Sequence, residues 1–384
     1  MKICFVTNDI FTLGGVQRVV SVLADKLTDE HDVTVLCTNQ VNINRDLYNI
    51  SSKLKIEIEK NIFTTGIFSK ITRKIIKDIN RKYGILNNEK YYRYLTNIYY
   101  PKTIRNKFIK YFNEKQYDVI IGVEGIYSIL LGCISDEIDS RIIGWQHNSY
   151  DAYLKNKNRY YWNLDILFEK YIKKLDKYIV LTEYDRIMLK KEKGIESQVI
   201  ANPRSFTSKV KSNMEVKQFL AAGRFTYQKG FDLLIESFNL FSKQNQEWKL
   251  VIVGEGEEKD KIKKKICEYG LQDRVYIQPF TDNIKKYFLN SSVMLLSSRW
   301  EGMPMIVLES LEMGVPIISY DITAVEPLID NKENGIIVEK YDIEKYSEEM
   351  LRIIENETLK SPLASFLAES LILTIGLEII LEII

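Results

Sequence analysis

Short runs of β-branched and aliphatic residues alternate with amphipathic stretches along most of this chain. The runs Ile3–Val6 and Asp32–Cys37 have the length of buried strands, and Val16–Leu27 between them has the apolar spacing of a helix. Parallel strands need a helical crossover between them, so this alternation predicts parallel sheets covered by helices, an α/β fold. With 384 residues, the chain is long enough for two such domains.

The alternation of strand-like and helix-like segments stops once along the chain and then restarts. Residues 202–216 contain Asn202-Pro203 and several Ser and Lys residues without any period, which is typical of a linker or hinge. We therefore predict two doubly wound Rossmann-like domains, 1–201 and 217–360, that face each other across a cleft where ligands bind. Further strands are predicted at 118–123, 141–145 and 177–181, and then at 219–223, 249–253, 275–277, 293–296 and 315–318.

The overall composition is that of a soluble globular protein, with 45% apolar and 28% charged residues and a net charge of +2. The charge is uneven, because residues 51–115 hold 16 Lys and Arg against 5 Asp and Glu. This basic, irregular middle of the first half is either a solvated lysine-rich helical face or a patch for an anionic membrane or a phosphorylated acceptor. Nucleic acid is a poorer prediction, since no known binding motif accompanies the charge.

The four cysteines are scattered in apolar contexts, which predicts that they are small core residues. Their usage fits a reducing, cytoplasmic location. Peripheral attachment of the protein to the inner face of the cytoplasmic membrane is a further possibility. No Asp-x-Asp pair and no His/Cys cluster suggests a metal. Neither a signal peptide nor a membrane span is expected. The apolar tail 361–384 is atypical, and its pattern leaves open a buried closing helix, an association surface or an altered ending.

Two carboxylates bracket the segment from Glu301 to Glu309, which carries the clearest chemical signal. Pro304 suits a first helical residue, so a helix is predicted from about Pro304, with Glu301 just ahead of it and Glu309 inside it. Carboxylates can accept hydrogen bonds from hydroxyls, and a helix N-terminus can bind an anion. A nucleotide sugar presents sugar hydroxyls, phosphates and ribose hydroxyls in that order.

Gly223-Arg224 and Lys229-Gly230 flank a strand-to-helix turn at the head of the second domain. Such turns commonly bind anions, and the two cations could neutralise a leaving diphosphate. Each cation alone is more often a surface residue, but the Glu301 loop downstream favours a functional pairing.

The first domain offers weaker signals. Gly14-Gly15 opens its first helix and would let the backbone approach a ligand, although any tight turn could use these glycines. His147 follows a strand, where it could contact a sugar hydroxyl or carry a proton. A lone histidine is otherwise more often structural.

Taken together, these motifs resemble the GT-B retaining glycosyltransferases of family 4 (glycosyl transferases group 1) from about Met1 to about Glu355, with the tail departing from the family. The resemblance implies that Glu301 contacts the transferred sugar, Arg224 and Lys229 hold the diphosphate, and Glu309 binds the ribose. It further implies donor contacts at the following positions: Gly14, Gly15, His147, Asn202, Gly223, and the backbone of Gly302, Met303 and Met305.

The implied activity is transfer of a hexosyl group from a nucleotide-diphosphate sugar, with UDP as the expected nucleotide, to a polysaccharide or lipid-linked glycan. The expected reaction retains the anomeric configuration and uses no cofactor and no metal. Two alternatives stay open at this point. One is a nucleotide-sugar epimerase of the same fold, and the other is a non-catalytic module that binds nucleotide sugars.

Overall fold

The computed structural model describes residues 1–157, 159–203, 205–330 and 333–355. The chain divides after Pro203 into two compact units, each of which is built on a parallel sheet of its own. The predicted tail at 361–384 lies outside the described residues. Within those residues, no helix combines the length and the apolar character needed to cross a membrane.

The first unit contains seven strands in its described part, and every neighbouring pair is parallel. They are β1 (Lys2–Thr7), β2 (Asp32–Cys37), β3 (Lys55–Ile58), β4 (Val119–Val123), β5 (Arg141–Trp145), β6 (Lys177–Val180) and β7 (Gln198–Val199). Their order across the sheet is β3-β2-β1-β4-β5-β6-β7. The central strands are buried along almost their whole length, because helices cover both faces of the sheet.

The helices of this unit follow the strands in chain order. They are α1 (Gly15–Leu27), α2 (Ile67–Tyr83), α3 (Tyr92–Tyr99), α4 (Lys102–Lys115), α5 (Glu124–Ile134), α6 (Asp165–Ile172) and α7 (Glu183–Lys193). Helix α5 is buried on nearly all sides, and Phe108 and Phe112 of α4 belong to the same aromatic core as Tyr127 of α5.

The second unit repeats the plan with six strands in the described part: β8 (Gln218–Ala222), β9 (Lys249–Val253), β10 (Val275–Gln278), β11 (Val293–Leu296), β12 (Ile317–Tyr320) and β13 (Gly335–Val338). Their order is β10-β9-β8-β11-β12-β13. The helices are α8 (Phe231–Gln244), α9 (Lys259–Glu268), α10 (Lys285–Leu289), α11 (Met305–Glu312) and α12 (Ile343–Glu355). Phe219 of β8 and Trp248 pack in its core, with ring centroids 4.7 Å apart.

Each sheet reverses its winding direction beside its first strand. In the first sheet, strands β1, β2 and β3 follow one another toward one edge, and the strands from β4 onward are added on the other side of β1. In the second sheet, β9 and β10 lie on one side of β8 and the strands from β11 onward lie on the other. The prediction of two doubly wound, Rossmann-like domains is confirmed. In such sheets ligands bind at the carboxyl ends of the strands next to the reversal, which directs attention to the loops after β8 and β11.

Two expectations about local structure need correction. The middle of the first half is regular, since it contains β3 and the helices α2, α3 and α4. Cys267 is exposed on α9, so it is no core residue. The helix after Glu301 begins at Met305, one residue after Pro304, which keeps an extended ψ of 112° and stands just outside it.

The stretch predicted as a linker is irregular as far as it is described, and it is fastened to the second unit. Lys211 pairs with Glu312 at 2.9 Å, and the amide of Ser212 donates to the carbonyl of Met313 at 3.0 Å. These contacts tie the chain entering β8 to the end of α11.

Candidate active site

Two loops meet at the reversal point of the second sheet. One follows β8 and contains Gly223, Arg224 and Lys229, and the other follows β11 and leads through Glu301 into α11. Because β8 and β11 are paired in parallel, their carboxyl ends lie side by side. Residues separated by about 70 positions in the chain are therefore brought into direct contact.

The closest contact between these loops is an ion pair. Lys229 Nζ lies 2.5 Å from Glu301 Oε1, and only 7% of the Glu301 side chain is exposed. The hydroxyl of Ser298 donates to the same carboxylate oxygen at 2.6 Å, and the side-chain amide of Gln228 donates to Glu301 Oε2 at 3.4 Å. Three donors thus hold the carboxylate in one orientation, as a group that must meet a substrate in a defined geometry requires.

Gly230 makes this approach possible. It adopts a left-handed φ of 64°, and a Cβ at this position would lie 2.1 Å from the carbonyl oxygen of Ser297. Any side chain would therefore push the two loops apart. The hydroxyl of Ser297 donates to the carbonyl of Lys229 at 2.9 Å, so the backbone that carries the lysine is also fixed.

Gly223 and Arg224 lie against a third loop, which follows β9. A Cβ on Gly254 would come within 1.9 Å of the Gly223 carbonyl, and the amide of Phe225 donates to the carbonyl of Glu255 at 2.8 Å. Gly254 therefore lets the backbones of the two loops touch. The Arg224 side chain is exposed at the carboxyl edge of the sheet. No ion pair joins Arg224 to Glu301 in the part of the chain that the structure describes; Arg224 contributes a cation to the same edge of the sheet.

The start of α11 supplies the remaining predicted contacts. Gly302 and Met303 are buried before the helix, and Met305 is its first residue. The first amides of a helix have no acceptor within it, and they carry the positive end of its dipole. Glu309 is buried one turn further along, on the same face as Met305.

Arg299, which was not among the predicted site residues, anchors the Glu301 loop. The guanidinium of Arg299 makes a bidentate ion pair with Asp232, at 2.9 and 2.7 Å, and donates to the carbonyl of Tyr227 at 2.7 Å. The Tyr227 ring stacks against the same guanidinium at 3.9 Å. Arg299 therefore ties the loop after β11 to the first turn of α8.

The two partners of this ion pair differ in their exposure to solvent. The Arg299 side chain is 7% exposed and that of Asp232 is 39% exposed. Burial alone would raise the pKa of Asp232, but the guanidinium outweighs it and holds that pKa below its ordinary value. The position of Arg299 shortly after the buried run of β11 could have marked it as a candidate, but no local pattern indicates its pairing with Asp232.

His147 lies in the first unit, after β5. It is 8% exposed, and its ring packs against Trp145 with centroids 4.3 Å apart. Burial lowers the pKa of His147 to about 3, so the imidazole is neutral at physiological pH. Its Nε2 is buried and has no hydrogen-bond partner among the described residues. A neutral imidazole offers a hydrogen bond, and the predicted alternative of carrying a proton is not favoured.

The other predicted residues of the first unit follow its strand ends. Gly14 precedes α1 and Gly15 is its first residue, so both lie at the carboxyl end of β1. The amide of Gly14 donates to the Tyr48 hydroxyl at 3.2 Å. Asn202 is buried beyond β7. Within the chain described, no group of three or more His, Cys, Asp or Glu residues is arranged to hold a metal ion.

Comparison with known proteins shows which family and which fold the chain resembles. The family model of glycosyl transferases group 1 matches residues 204–365. That match covers the second unit and all of its predicted site residues. The chain is also 26% identical to a protein of Haemophilus influenzae named as an uncharacterized glycosyltransferase, over 93% of this chain and 92% of that one.

A second relative matches over a shorter region. It is the poly(ribitol-phosphate) alpha-N-acetylglucosaminyltransferase of Staphylococcus aureus, 28% identical over 56% of this chain and 45% of its own length. Among solved structures, HepE of Anabaena in complex with UDP-glucose superposes with a TM-score of 0.74 at 15% identity, covering 100% of this chain and 99% of that one. The chain has the GT-B fold.

Proposed function

We propose that this protein is a retaining glycosyltransferase that moves a hexosyl group from a UDP-sugar to a polysaccharide or a lipid-linked glycan of a cell envelope. The group 1 family match and the glycosyltransferase relatives support the reaction class. The UDP-glucose bound in a structural neighbour supports the donor, and a relative named for poly(ribitol phosphate) adds a polyol phosphate polymer to the acceptors worth testing.

The observation that carries the proposal is the ion pair between Lys229, whose side chain is 19% exposed, and the buried Glu301, at the reversal point of the second sheet. A lysine ammonium has three N–H donors, and Glu301 uses one of them. The others can bind a phosphate oxygen while the carboxylate accepts a hydrogen bond from a sugar hydroxyl. One pair can therefore hold both sides of the bond between a sugar and a diphosphate.

Breaking that bond leaves negative charge on the diphosphate and positive charge on the anomeric carbon. Lys229, Arg224 and the N-terminal amides of α11 would offset the first charge without having to move. Glu309 would bind the ribose, and backbone at Gly302, Met303 and Met305 would complete the anion site. Loss of one preorganised partner of this kind costs roughly 10²–10³ in rate.

Residues of the first unit would act on the sugar and acceptor. The neutral imidazole of His147 would hydrogen-bond a sugar hydroxyl, and Gly14 and Gly15 would let the backbone approach the donor phosphate. Asn202 is proposed to lie near the base. We further propose same-face attack, with the leaving phosphate taking the acceptor proton, and no need for a divalent cation, because the cationic side chains already compensate the leaving group. A cytoplasmic location fits a UDP-sugar donor.

The test begins with a thermal-shift panel of nucleotide sugars, followed by turnover of the donor that stabilises best. Acceptors would include a polyol phosphate polymer and a lipid-linked glycan. We expect transfer with retained configuration, unchanged by a chelator, and at least about 100-fold slower in Glu301→Ala and Lys229→Ala. Product stereochemistry is read by NMR.

The matched controls are Lys217→Ala and Glu247→Ala. This second ion pair has the same 2.5 Å separation but is exposed at the amino end of β8. Near-normal turnover in both site variants would refute the proposal. An epimerised nucleotide sugar formed without acceptor would indicate an epimerase, and donor binding without turnover on any acceptor would indicate a binding module.

A further inference from the structure

The segment that follows β5 and carries His147 is attached to the first turn of α7. The amide of Tyr150 donates to Asp185 Oδ1 at 2.6 Å, and the hydroxyl of Tyr184 donates to Asp151 Oδ2 at 2.8 Å. Because β5 and β6 are neighbouring parallel strands, the segment after β5 and the helix after β6 start at the same edge of the sheet. Two adjacent residues of α7 therefore hold one short segment of backbone.

The attachment leads from Tyr150 back to His147. Tyr150 precedes a single π-helical turn, Asp151–Lys155, which contains the buried Tyr153. The amide of His147 donates to the Tyr153 hydroxyl at 3.4 Å. Isolated π-helical turns are rare and occur frequently at functional sites. The turn whose start is bound by Asp185 is thus the turn that contacts the backbone of His147.

Asp185 does more than cap its own helix. The hydroxyl of Thr182, the N-cap of α7, donates to Asp185 Oδ2 at 2.8 Å, and the amide of Asp185 donates to that hydroxyl at 3.2 Å. One carboxylate oxygen therefore belongs to the cap of α7. The other oxygen binds Tyr150, which lies outside the helix.

The carboxylate of Asp185 lowers the stability of the fold at neutral pH. The side chain is fully buried, and burial raises the pKa of Asp185 to about 6, although hydrogen bonds from Tyr150 and Thr182 oppose the rise. Its contribution to the free energy of unfolding is therefore present below its unfolded pKa of about 3.9 and is lost as the pH rises past the folded value. A buried carboxylate that is ionised against this cost favours a role in function over a role in stability.

The imidazole of His147 depends on this backbone for its orientation. Its Nε2 is buried and has no hydrogen-bond partner among the described residues, so the ring has an atom to offer a ligand. The ring packs on Trp145 of β5, and the chain leaves the strand between the two residues. A hydrogen bond forms only within a narrow range of distance and angle. A shift of the segment after β5 would therefore move the imidazole away from its ligand.

We propose that Asp185 is a positioning residue for the transfer reaction, and that its carboxylate fixes the segment after β5 so that His147 meets a hydroxyl of the donor sugar. This inference rests on the proposed function of His147 and adds a residue outside the donor contacts. Asp185 is fully buried, so it acts through the backbone of Tyr150 and not on the sugar itself.

A double-mutant cycle on turnover tests the proposal. His147→Leu removes the hydrogen-bonding ring and keeps most of its volume, and Asp185→Ala removes the attachment. Each change should lower kcat by about tenfold, which corresponds to the loss of one hydrogen bond. The double variant should be no slower than the single ones, because both changes remove the same contact. Asp185→Asn keeps an oxygen for the Tyr150 amide, so it should restore most of the turnover.

Asp176→Ala is the matched control. Asp176 Oδ2 accepts a hydrogen bond from the amide of Ile142 at 2.7 Å, so a carboxylate next to β6 binds β5 near its amino end, away from His147. This change should leave kcat as in the unchanged protein. UDP should bind every variant as tightly as it binds the unchanged protein, because UDP lacks the sugar that His147 contacts.

The position of the imidazole is also measurable without substrate. The chain has two histidines, so isotope labelling of histidine gives two sets of imidazole signals in NMR spectra, and His31→Gln assigns them. We expect the His147 signals to move in Asp185→Ala, since the ring current of Trp145 acts over a short distance. They should stay in place in Asp176→Ala and close to their place in Asp185→Asn.

Circular dichroism checks that the variants fold. Tyr184→Phe, which removes only the hydroxyl bound to Asp151, replaces Asp185→Ala in the cycle if that variant fails to fold. Its loss of turnover should be smaller and should likewise vanish when His147 is already replaced by leucine.

Three results would overturn the proposal: a double variant that is slower by the product of the two single losses, about 100-fold; His147 signals that Asp185→Ala leaves in place; or an equal loss of turnover in Asp176→Ala. In protein that transfers no sugar, the proposed reaction fails, and the histidine signals alone then support or overturn the positioning. Failure of the positioning is therefore distinguishable from failure of the transfer reaction.

Discussion

Replacing Lys229 with methionine would keep most of the side-chain volume and remove only its charge. Its Nζ lies 2.5 Å from a carboxylate that is 7% exposed, so Lys229→Met leaves Glu301 buried without its countercharge. Loss of one partner of a buried ion pair costs about 3–5 kcal/mol. The Ser298 hydroxyl and the Gln228 amide still donate to Glu301, so we expect the lower end of this range, about 3 kcal/mol.

Differential scanning calorimetry of the full chain measures this loss. A fall of about 3 kcal/mol in the free energy of unfolding lowers the Tm of a unit of about 150–250 residues, such as the second unit, by about 6–12 °C. Lys217→Met is the matched control, since that lysine is 2.5 Å from Glu247 but 56% exposed. An exposed pair contributes about 0–1 kcal/mol. If Lys229→Met and Lys217→Met melt at the same temperature, the pair does not hold a buried carboxylate and the account of the site is wrong.

Three further predictions concern the neighbouring structure. Gly230 and Gly270 have similar left-handed φ angles of 64° and 65°, but a Cβ at Gly230 alone of the two would lie 2.1 Å from a carbonyl oxygen. Urea unfolding should therefore show that Gly270→Ala lowers the free energy of unfolding by about 1 kcal/mol and that Gly230→Ala lowers it clearly more. Burial lowers the pKa of His147 to about 3, below its unfolded value of about 6.5. The contribution of the neutral imidazole to the free energy of unfolding is therefore complete above pH 6.5 and is lost as the pH falls. His147→Gln should flatten the decline in stability below pH 6.5, by up to about 1.4 kcal/mol per pH unit. Asp232→Ala should lower Tm more than Arg299→Met. The first change leaves a guanidinium that is 7% exposed without its partner, and the second leaves a carboxylate that is 39% exposed to water.

The sequence predicts the architecture well, and it also predicts two residues that the structure brings into contact. Buried parallel strands are short apolar runs, so β8 and β11 are visible without a structure, and the polar residues that follow them fall at one edge by topology. Lys229 was predicted from the strand-to-helix turn after β8, and Glu301 from the loop that leads through Pro304 into a helix. The structure places the two side chains in direct contact. The helix start was predicted to within one residue, because Pro304 marks it.

Other features depend on pairings that no local pattern encodes. Asp232 and Arg299 are 67 residues apart, and each alone is an ordinary charged residue. The orientation of α2 was missed because its polar Asn80 lies inside and its isoleucines lie outside, which inverts the usual relation between apolar residues and burial. The lowered pKa of His147 results from tertiary burial, so a strand-end position could suggest a contact and not a protonation state.

We propose that Lys229 and Glu301 hold opposite sides of the bond between a sugar and a diphosphate. Isothermal titration of UDP, and of the UDP-sugar selected by thermal shift, into unchanged protein and into Glu301→Ala and Lys229→Ala tests it directly. Glu301→Ala should abolish the preference for the UDP-sugar over UDP while UDP still binds, and Lys229→Ala should weaken UDP itself. If both ligands bind both variants as tightly as the unchanged protein, the donor is held elsewhere and the claim is contradicted.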